Sequence, residues 1–133
     1  MGTSADLVRR AYETWNDDDF EAASRMMHPE VEWHSSGLFP GLPAVCHGIE
    51  EVRGWWTALK EPWEHFTIEP VEIWEEGDRA ACLMQFHAAG KESGVGVELE
   101  FAAAWEFEEG LIRRYRSFVS AEEAKSALGL DAG

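Results

Sequence analysis

Residues 95–107 read VGVELEFAAAWEF, and their side chains alternate between apolar ones and acidic or small ones. Successive side chains of a β-strand point to opposite faces, so this period of two predicts one long strand. A strand with one apolar and one polar face belongs to a sheet that is covered by other elements on one side. The apolar face consists of Val97, Leu99, Phe101, Ala103, Trp105 and Phe107.

Shorter segments on either side of this stretch extend it into a sheet. Residues 31–34, 66–74, 80–88 and 111–119 are rich in strand-forming side chains, and the turns at 76–78 and 109–110 join the later ones as hairpins. Antiparallel pairing of consecutive strands is the simplest arrangement. Residues 35–47 carry glycine and proline breaks, and we expect them to form a loop over a pocket.

The parities of these strands assign their side chains to the two faces of the sheet. We expect the concave face, beneath the helices, to carry Met84, Phe86, Leu99, Phe101, Trp105, Tyr115 and Ser117. We expect the outer face to carry Gln85, His87, Glu98, Glu100, Arg114 and Arg116. Two interpretations of the outer face stay open, namely a solvated surface with cross-strand ion pairs, or a two-fold interface between copies.

The remaining segments predict helices. Thr3–Asp6 and Ser120–Glu123 are capping boxes, which open a first helix and a short C-terminal one. A second helix carries Phe20, Ala23 and Met27 on one stripe and ends at His28, because Pro29 disfavours helical geometry in the residue before it. A third helix runs from about Gly48 to Pro62.

Length and charge restrict the function classes. A chain of 133 residues with 45% hydrophobic residues predicts one domain, 1–133, with one core. Its formal net charge of −15 argues against nucleic-acid and membrane-surface partners, since phosphates would be repelled. Seven Trp and seven Phe are many for this length, and such rings line ligand cavities as well as cores.

Metal sites, disulfides and membrane insertion are not predicted. The two cysteines and five histidines show no metal-ligand spacing, and reduced thiols are favoured over one disulfide. We expect no cofactor. No apolar run reaches membrane-spanning length, and the N-terminal residues do not read as a secretory signal. We therefore expect a cytoplasmic protein.

Several segments in order resemble the SnoaL-like family of the nuclear-transport-factor-2-like superfamily. They are residues 11–16, 28–33, 47–52, 90–95, 105–110, 112–118 and 123–130. The resemblance implies an α+β fold in which a cone-shaped, curved antiparallel or mixed sheet packs against three N-terminal helices, with a short C-terminal helix. It also implies a deep pocket and a homodimer through the outer sheet face, which favours the second interpretation of that face.

The superfamily contains enzymes as well as binding proteins without chemistry, so the fold alone assigns no reaction. It includes ketosteroid isomerases, polyketide cyclases, limonene epoxide hydrolases and scytalone dehydratases. The isomerases carry carboxyl groups where this chain has Trp33 and Ala103, and the hydrolases' Asp–Arg–Asp set has no counterpart here. The resemblance therefore does not extend to those two mechanisms.

Three side chains are candidates for a chemical step. His34 follows Trp33 at the start of the 35–47 loop, and imidazole titrates near neutral pH, which suits proton transfer. The strand parity turns His34 away from the concave face unless the strand ends or bulges there. Tyr12 and Tyr115 are candidates to donate a hydrogen bond to a ligand oxygen, the alternative being buried structural hydroxyls.

The candidate ligand wall is aromatic, and core packing is the alternative interpretation for each of its members. It consists of Trp15, Trp33, Phe39, Trp55, Trp63, Met84, Phe86, Phe101, Trp105 and Ser117. These residues predict a pocket for a small hydrophobic or amphipathic molecule. The chain is then either a cofactor-free acid/base enzyme of the isomerase, cyclase, dehydratase or hydratase type, or a non-catalytic ligand-binding or dimerisation module.

Overall fold

The computed structural model describes residues 3–35, 42–90 and 96–130. Within these ranges one mixed sheet has the strand order β2-β1-β6-β5-β4-β3. The strands are β1 (Met27–His34), β2 (Val45–His47), β3 (Trp63–Glu76), β4 (Arg79–Gly90), β5 (Gly96–Glu108) and β6 (Leu111–Phe118). The predicted loop over the pocket, with Phe39, lies largely outside the described residues.

The described part of the sheet combines four antiparallel strand pairs with one parallel pair. β3, β4, β5 and β6 pair antiparallel in sequence order, as predicted. β1 instead pairs parallel to β6, with Trp33 opposite Tyr115. β1 also pairs antiparallel with β2, the next strand of the chain, so only its parallel contact with β6 departs from the predicted arrangement. Without β1, the backbone N–H and C=O groups on one side of β6 would be unpaired, and β1 forms hydrogen bonds with them.

Four helices lie within the described ranges. They are α1 (Ser4–Asn16), α2 (Phe20–Ser24), α3 (Ile49–Lys60) and α4 (Ala121–Ala127). The apolar stripes of α1, α2 and α3 pack into one core with the concave face of the sheet. This arrangement confirms the predicted cone-like α+β fold, with the sheet open and not closed. No described helix has the length and apolar character needed to cross a membrane.

Two boundaries differ from the sequence-based prediction. His28 is not a helix-end residue, because α2 ends at Ser24 and His28 lies in β1, with its Nε2 3.0 Å from a carboxylate oxygen of Glu108. The Met26 carbonyl accepts a hydrogen bond from Ile112 N at 2.7 Å, so pairing with β6 replaces a last helical turn. The second difference is that a strand, β2, forms within the predicted loop. It pairs antiparallel with β1, with Val45 opposite His34.

The concave face has the predicted composition with one exception. Met84, Phe86, Phe101, Trp105, Tyr115 and Ser117 are buried. Leu99 is 56% exposed, so its assignment beneath the helices was wrong. β6 pairs with β5 only as far as Ala102, opposite Phe118, so the described part of β6 does not flank Leu99. Alternation gives the face of a side chain but not what covers it.

The outer face is partly covered by the chain itself. Ala124 and Leu128 pack onto Ala81, Ala102 and Ala104, which are completely buried small residues on the outer parity. The predicted charged side chains flank this contact. The His87 ring lies 2.9 Å from Glu98, while Arg114 and Arg116 lie 3.4 and 3.1 Å from Glu106. Small residues at the centre of this face allow the helix to approach the sheet.

The cap of α4 carries a testable stability contribution. The Ser120 hydroxyl accepts a hydrogen bond from Glu123 N at 3.2 Å, which confirms Ser120 as the N-cap of α4. Ser120→Ala should lower the free energy of unfolding by about 1 kcal/mol in urea denaturation, because this N–H loses its acceptor. The exposed Ser126 of the same helix is the control. Ser126→Ala should stay within about 0.5 kcal/mol, and equal losses for both would contradict the cap.

Candidate functional site

The helices and the concave face enclose a small interior cavity of about 30 Å³. A volume of that size holds roughly two water molecules, well below the few hundred Å³ typical of a ligand pocket. Its wall is mainly aromatic. The rings come from Tyr12, Trp15, Trp33, Trp55, Trp56, Phe101, Trp105 and Tyr115. The described residues thus leave an aromatic-lined cavity that is much smaller than the deep pocket expected from the sequence.

The floor of the cavity is a row of three rings across the sheet. Trp33, Tyr115 and Trp105 are register neighbours on β1, β6 and β5. The ring centroids of Trp33 and Tyr115 are 4.0 Å apart in a stacked pair, and those of Trp105 and Tyr115 are 4.8 Å apart, edge to face. The parallel β1–β6 pairing creates this row. The sequence pattern did not contain that information.

The roof of the cavity comes from α1 and α3. Tyr12 contacts Trp105 edge to face at 5.6 Å, and Trp15 contacts Trp55 at 6.3 Å and Trp56 at 4.2 Å between ring centroids. Tyr12 and Trp15 lie on the buried face of α1. The capping box at Thr3 fixes the residue at which this helix begins. Roof and floor meet where Trp33 contacts Trp55 at 5.7 Å.

Buried donors without an acceptor are the distinctive polar feature of this wall. Trp15 Nε1 and Trp33 Nε1 are buried and have no hydrogen-bond partner among the described residues, and the buried Tyr12 Oη has no oxygen acceptor there, only the weakly accepting thiol of Cys82. Buried polar groups are nearly always hydrogen-bonded, and an unsatisfied one costs about 1–3 kcal/mol. All three donors belong to residues that line the cavity. An acceptor placed there would offset that cost.

The phenols and the thiol near the cavity are neutral at physiological pH. Burial raises the pKa of Tyr12 well above its ordinary value, with smaller contributions from Cys82 and Tyr115. Burial likewise raises the pKa of Tyr115, and it raises the pKa of Cys82 to about 12. Trp105 Nε1 donates to Cys82 Sγ at 3.3 Å. Cys46 and Cys82 are both free and buried. These groups act as donors or packing groups, not as bases.

His34 lies outside the cavity, on the outer face of the sheet. Its Nε2 is 3.1 Å from Glu32 Oε1, and Arg114 Nε lies 3.8 Å from the same oxygen. The His34 hydrogen bond is the main cause that lowers the pKa of Glu32, while Arg114 and Arg113 act in the same direction. β1 keeps its alternation up to His34, so the parity argument against an inward imidazole is confirmed.

The remaining predicted wall residues separate into groups. Ser117 is fully buried, and its hydroxyl donates to the His34 backbone carbonyl at 3.3 Å, which is a structural role. Met84 and Phe86 pack in the core, where Phe86 contacts Phe66 and Trp63 at 4.4 and 6.1 Å. Trp63 lines an outer groove and not the interior cavity.

Sequence reasoning overlooked two residues of this region. Trp56 is not among the predicted wall residues, yet it lines both the interior cavity and the outer groove. Lys60, one turn further along α3, lies over the rings of Trp15 and Trp56. The i,i+4 spacing of Trp56 and Lys60 on one helix was the available signal.

Fold and site together define a class of protein, the cone-shaped α+β domains with an aromatic interior. The SnoaL-like domain family matches residues 8–115, and the chain belongs to this family. Comparison with curated proteins gave no match.

Solved structures share the fold. A nuclear-transport-factor-2-like protein of unknown function from Burkholderia pseudomallei is 24% identical, with a TM-score of 0.78 and 100% of each chain covered. TerC, co-crystallised with polyporic acid, is 20% identical, with a TM-score of 0.76 and 98% of each chain covered. A Catenulispora acidiphila protein of ketosteroid isomerase-like fold, in complex with trimethylamine, is 14% identical with a TM-score of 0.75, covering 93% of this chain and 92% of that one.

Proposed function

We propose that the protein binds a flat, mostly apolar small molecule that carries a hydrogen-bond-accepting oxygen, and that it binds this molecule in the interior cavity. The observation that carries the proposal is the set of buried donors on Tyr12, Trp15 and Trp33 that lack an oxygen acceptor within an otherwise apolar aromatic wall. Rings favour a planar apolar body, and the donors favour one oxygen acceptor. Each neutral hydrogen bond regained contributes about 0.5–1.5 kcal/mol.

Ligand entry requires the walls to separate. The cavity of about 30 Å³ is smaller than any multi-atom ligand, so the binding-competent state is a minor conformation that the ligand stabilises. The rings of Trp33 and Tyr115 stack on each other, with their centroids 4.0 Å apart. A flat ligand that inserts between two such rings replaces one stacking contact with two. The cost of opening lowers the apparent affinity by the population of the open state.

Binding is favoured over acid/base catalysis. Among the described residues that line the cavity there is no carboxylate and no imidazole, the groups that most often transfer protons near neutral pH. Tyr12 supports a second candidate function, because a neutral buried phenol stabilises negative charge that develops on a substrate oxygen. A cyclase or isomerase of this kind would take its base from outside this wall.

Related structures support a small-molecule role without naming the ligand. TerC was crystallised with polyporic acid and the Catenulispora protein with trimethylamine. Both share the fold at low identity. They support the class of partner only.

The same donors provide the binding test. Indanone and indane share a flat skeleton and differ in one carbonyl oxygen. Isothermal titration calorimetry should show that wild-type protein binds indanone more tightly, and that Tyr12→Phe weakens indanone binding by roughly three- to tenfold while indane binding is unchanged. Equal affinities of wild type for the two ligands would contradict the proposal. Equal losses for both ligands in the variant would assign Tyr12 to packing.

We also propose a homodimer through the part of the outer face that α4 leaves uncovered. Arg114, Arg116 and Glu106 form ion pairs there, and Glu98 lies further along β5. Arg114→Glu should weaken the dimer in sedimentation, because it places like charges opposite one another. Arg9→Glu, on the exposed surface of α1, is the control and should leave it unchanged. A wild-type monomer at micromolar concentration would end this proposal.

A further inference from the structure

A second concave site lies outside the interior cavity, in a groove between the end of α1, α3 and the start of β3. Its volume is about 670 Å³, within the range of small-molecule sites. Its lining includes aromatic side chains and carboxylates, among them Asp18, Phe20, Trp56, Trp63 and Glu64. We propose that this groove binds an organic cation of the quaternary ammonium class, and that the Lys60 ammonium occupies the cation position when no ligand is present.

The surroundings of Lys60 Nζ are those of an ammonium-binding site. Nζ lies 4.5 Å from the ring centroid of Trp15 and 4.9 Å from that of Trp56. It lies 3.2 Å from Asp18 Oδ1, and it donates to the Trp15 carbonyl oxygen at 2.5 Å. Two aromatic faces, a carboxylate and a carbonyl thus converge on one positive charge. Aromatic faces of this kind recognise quaternary ammonium ligands.

Arg53 is a second cation among the described residues that line the groove. The guanidinium of Arg53 lies 4.7 Å above the Phe20 ring, but its nitrogens pair with Glu21 at 2.8 Å and Glu50 at 3.1 Å. Asp18, Glu61 and Glu64 line the same groove. With a net charge of −15, the chain also attracts cations over longer distances.

Lys60 is suited to leave this position. Partial burial lowers its pKa, and the Asp18 carboxylate opposes that shift only in part, so the site desolvates the ammonium. The ammonium of a lysine is strongly hydrated and sits on a flexible side chain. Hydration therefore offsets the contacts that Lys60 loses when its side chain swings out into water. The Asp18 side chain is 77% exposed, so it can stay paired with the Lys60 ammonium when that group moves into solvent. A quaternary ammonium is weakly hydrated and loses less on contact with the rings.

A matched pair of ligands and a matched pair of variants test the proposal. Choline and its neutral isostere 3,3-dimethylbutanol have the same shape, so only charge separates them. Lys60→Met keeps the apolar stem and removes the competing ammonium. The control is Lys125→Met, because Lys125 Nζ lies 4.4 Å over Trp74 on the outer face, away from the groove. In calorimetry, Lys60→Met should bind choline at least roughly fivefold more tightly than wild type.

Wild-type protein supplies a test that is independent of variant folding. In NMR spectra choline should shift the indole N–H signals of Trp56 and Trp63, which line the groove, and leave those of Trp33 and Trp74 in place, and the isostere should shift none of them. Equal binding of the isostere would overturn the proposal. An unchanged choline affinity in Lys60→Met, or a gain of the same size in Lys125→Met, would also overturn it. Neither outcome bears on the interior cavity, whose probe is the uncharged indanone.

Discussion

Trp105→Ala should lower the free energy of unfolding by about 3–5 kcal/mol, a large part of the stability of a single domain. Trp105 is 1% exposed, and its ring contacts Tyr12, Trp33 and Tyr115 with centroid distances of 4.8–5.9 Å. Truncation would leave a hole between the roof and the floor of the cavity. It would also remove the donor to Cys82 Sγ. Rigid neighbouring rings fill such a hole poorly.

Urea denaturation followed by far-UV circular dichroism measures this loss. Trp74→Ala is the control, because Trp74 is a half-buried ring on the outer face beside α4. Its loss should be smaller than that of Trp105→Ala, since part of the removed surface already faces water. If the two variants lose equal stability, Trp105 is not the centre of the interior cluster.

The second large effect is cooperative unfolding at alkaline pH. The chain has only two tyrosines, Tyr12 and Tyr115, and burial raises the pKa of both above the ordinary value of 10.0. Burial raises the pKa of Cys82 from 9.0 to about 12. Folded-state pKa values above the unfolded ones mean that the unfolded chain releases these protons first. The stability is complete below about pH 9 and is lost as the pH rises towards about 12.

Tyrosinate absorbance provides the measurement. At pH 10, where an exposed phenol is half ionised, the native protein should show almost no tyrosinate. The signal should then appear in one step together with the loss of circular dichroism. Val119→Tyr places a phenol at a position that is 70% exposed, and this added group should titrate independently near its ordinary pKa. Gradual ionisation of wild-type tyrosines before unfolding would contradict the buried placement of both phenols.

The sequence predicted the fold where local patterns control it. The alternation in residues 95–107 gives β5 and its buried face, and the N-cap residues Thr3 and Ser120 start α1 and α4. Parallel pairing of β1 with β6 escaped prediction, because hairpin signals carry no information on contacts between distant segments. The exposure of Leu99 had the same origin, since burial depends on neighbouring elements.

The sequence predicted the residues that line the candidate site but not the volume of its cavity. Tyr12, Trp15, Trp33, Trp55, Phe101, Trp105 and Tyr115 were selected from the sequence, and all of them line the cavity. Its small volume depends on how closely the rings of α1, α3 and the sheet approach, which sequence spacing does not encode. The position of Lys60 over two rings likewise depends on the packing of α1 against α3. The inward or outward direction of His34 followed from strand parity alone.

The indole N–H signals of the seven tryptophans test the interior binding site most directly. Once they are assigned by single substitutions, titration with indanone is predicted to move the signals of Trp15 and Trp33 downfield, as their unpartnered donors gain an acceptor. The Trp74 signal should not move, because this ring lies on the other face of the sheet. Saturating indanone that leaves Trp15 and Trp33 unmoved, or that shifts Trp74 as strongly, would contradict an interior site.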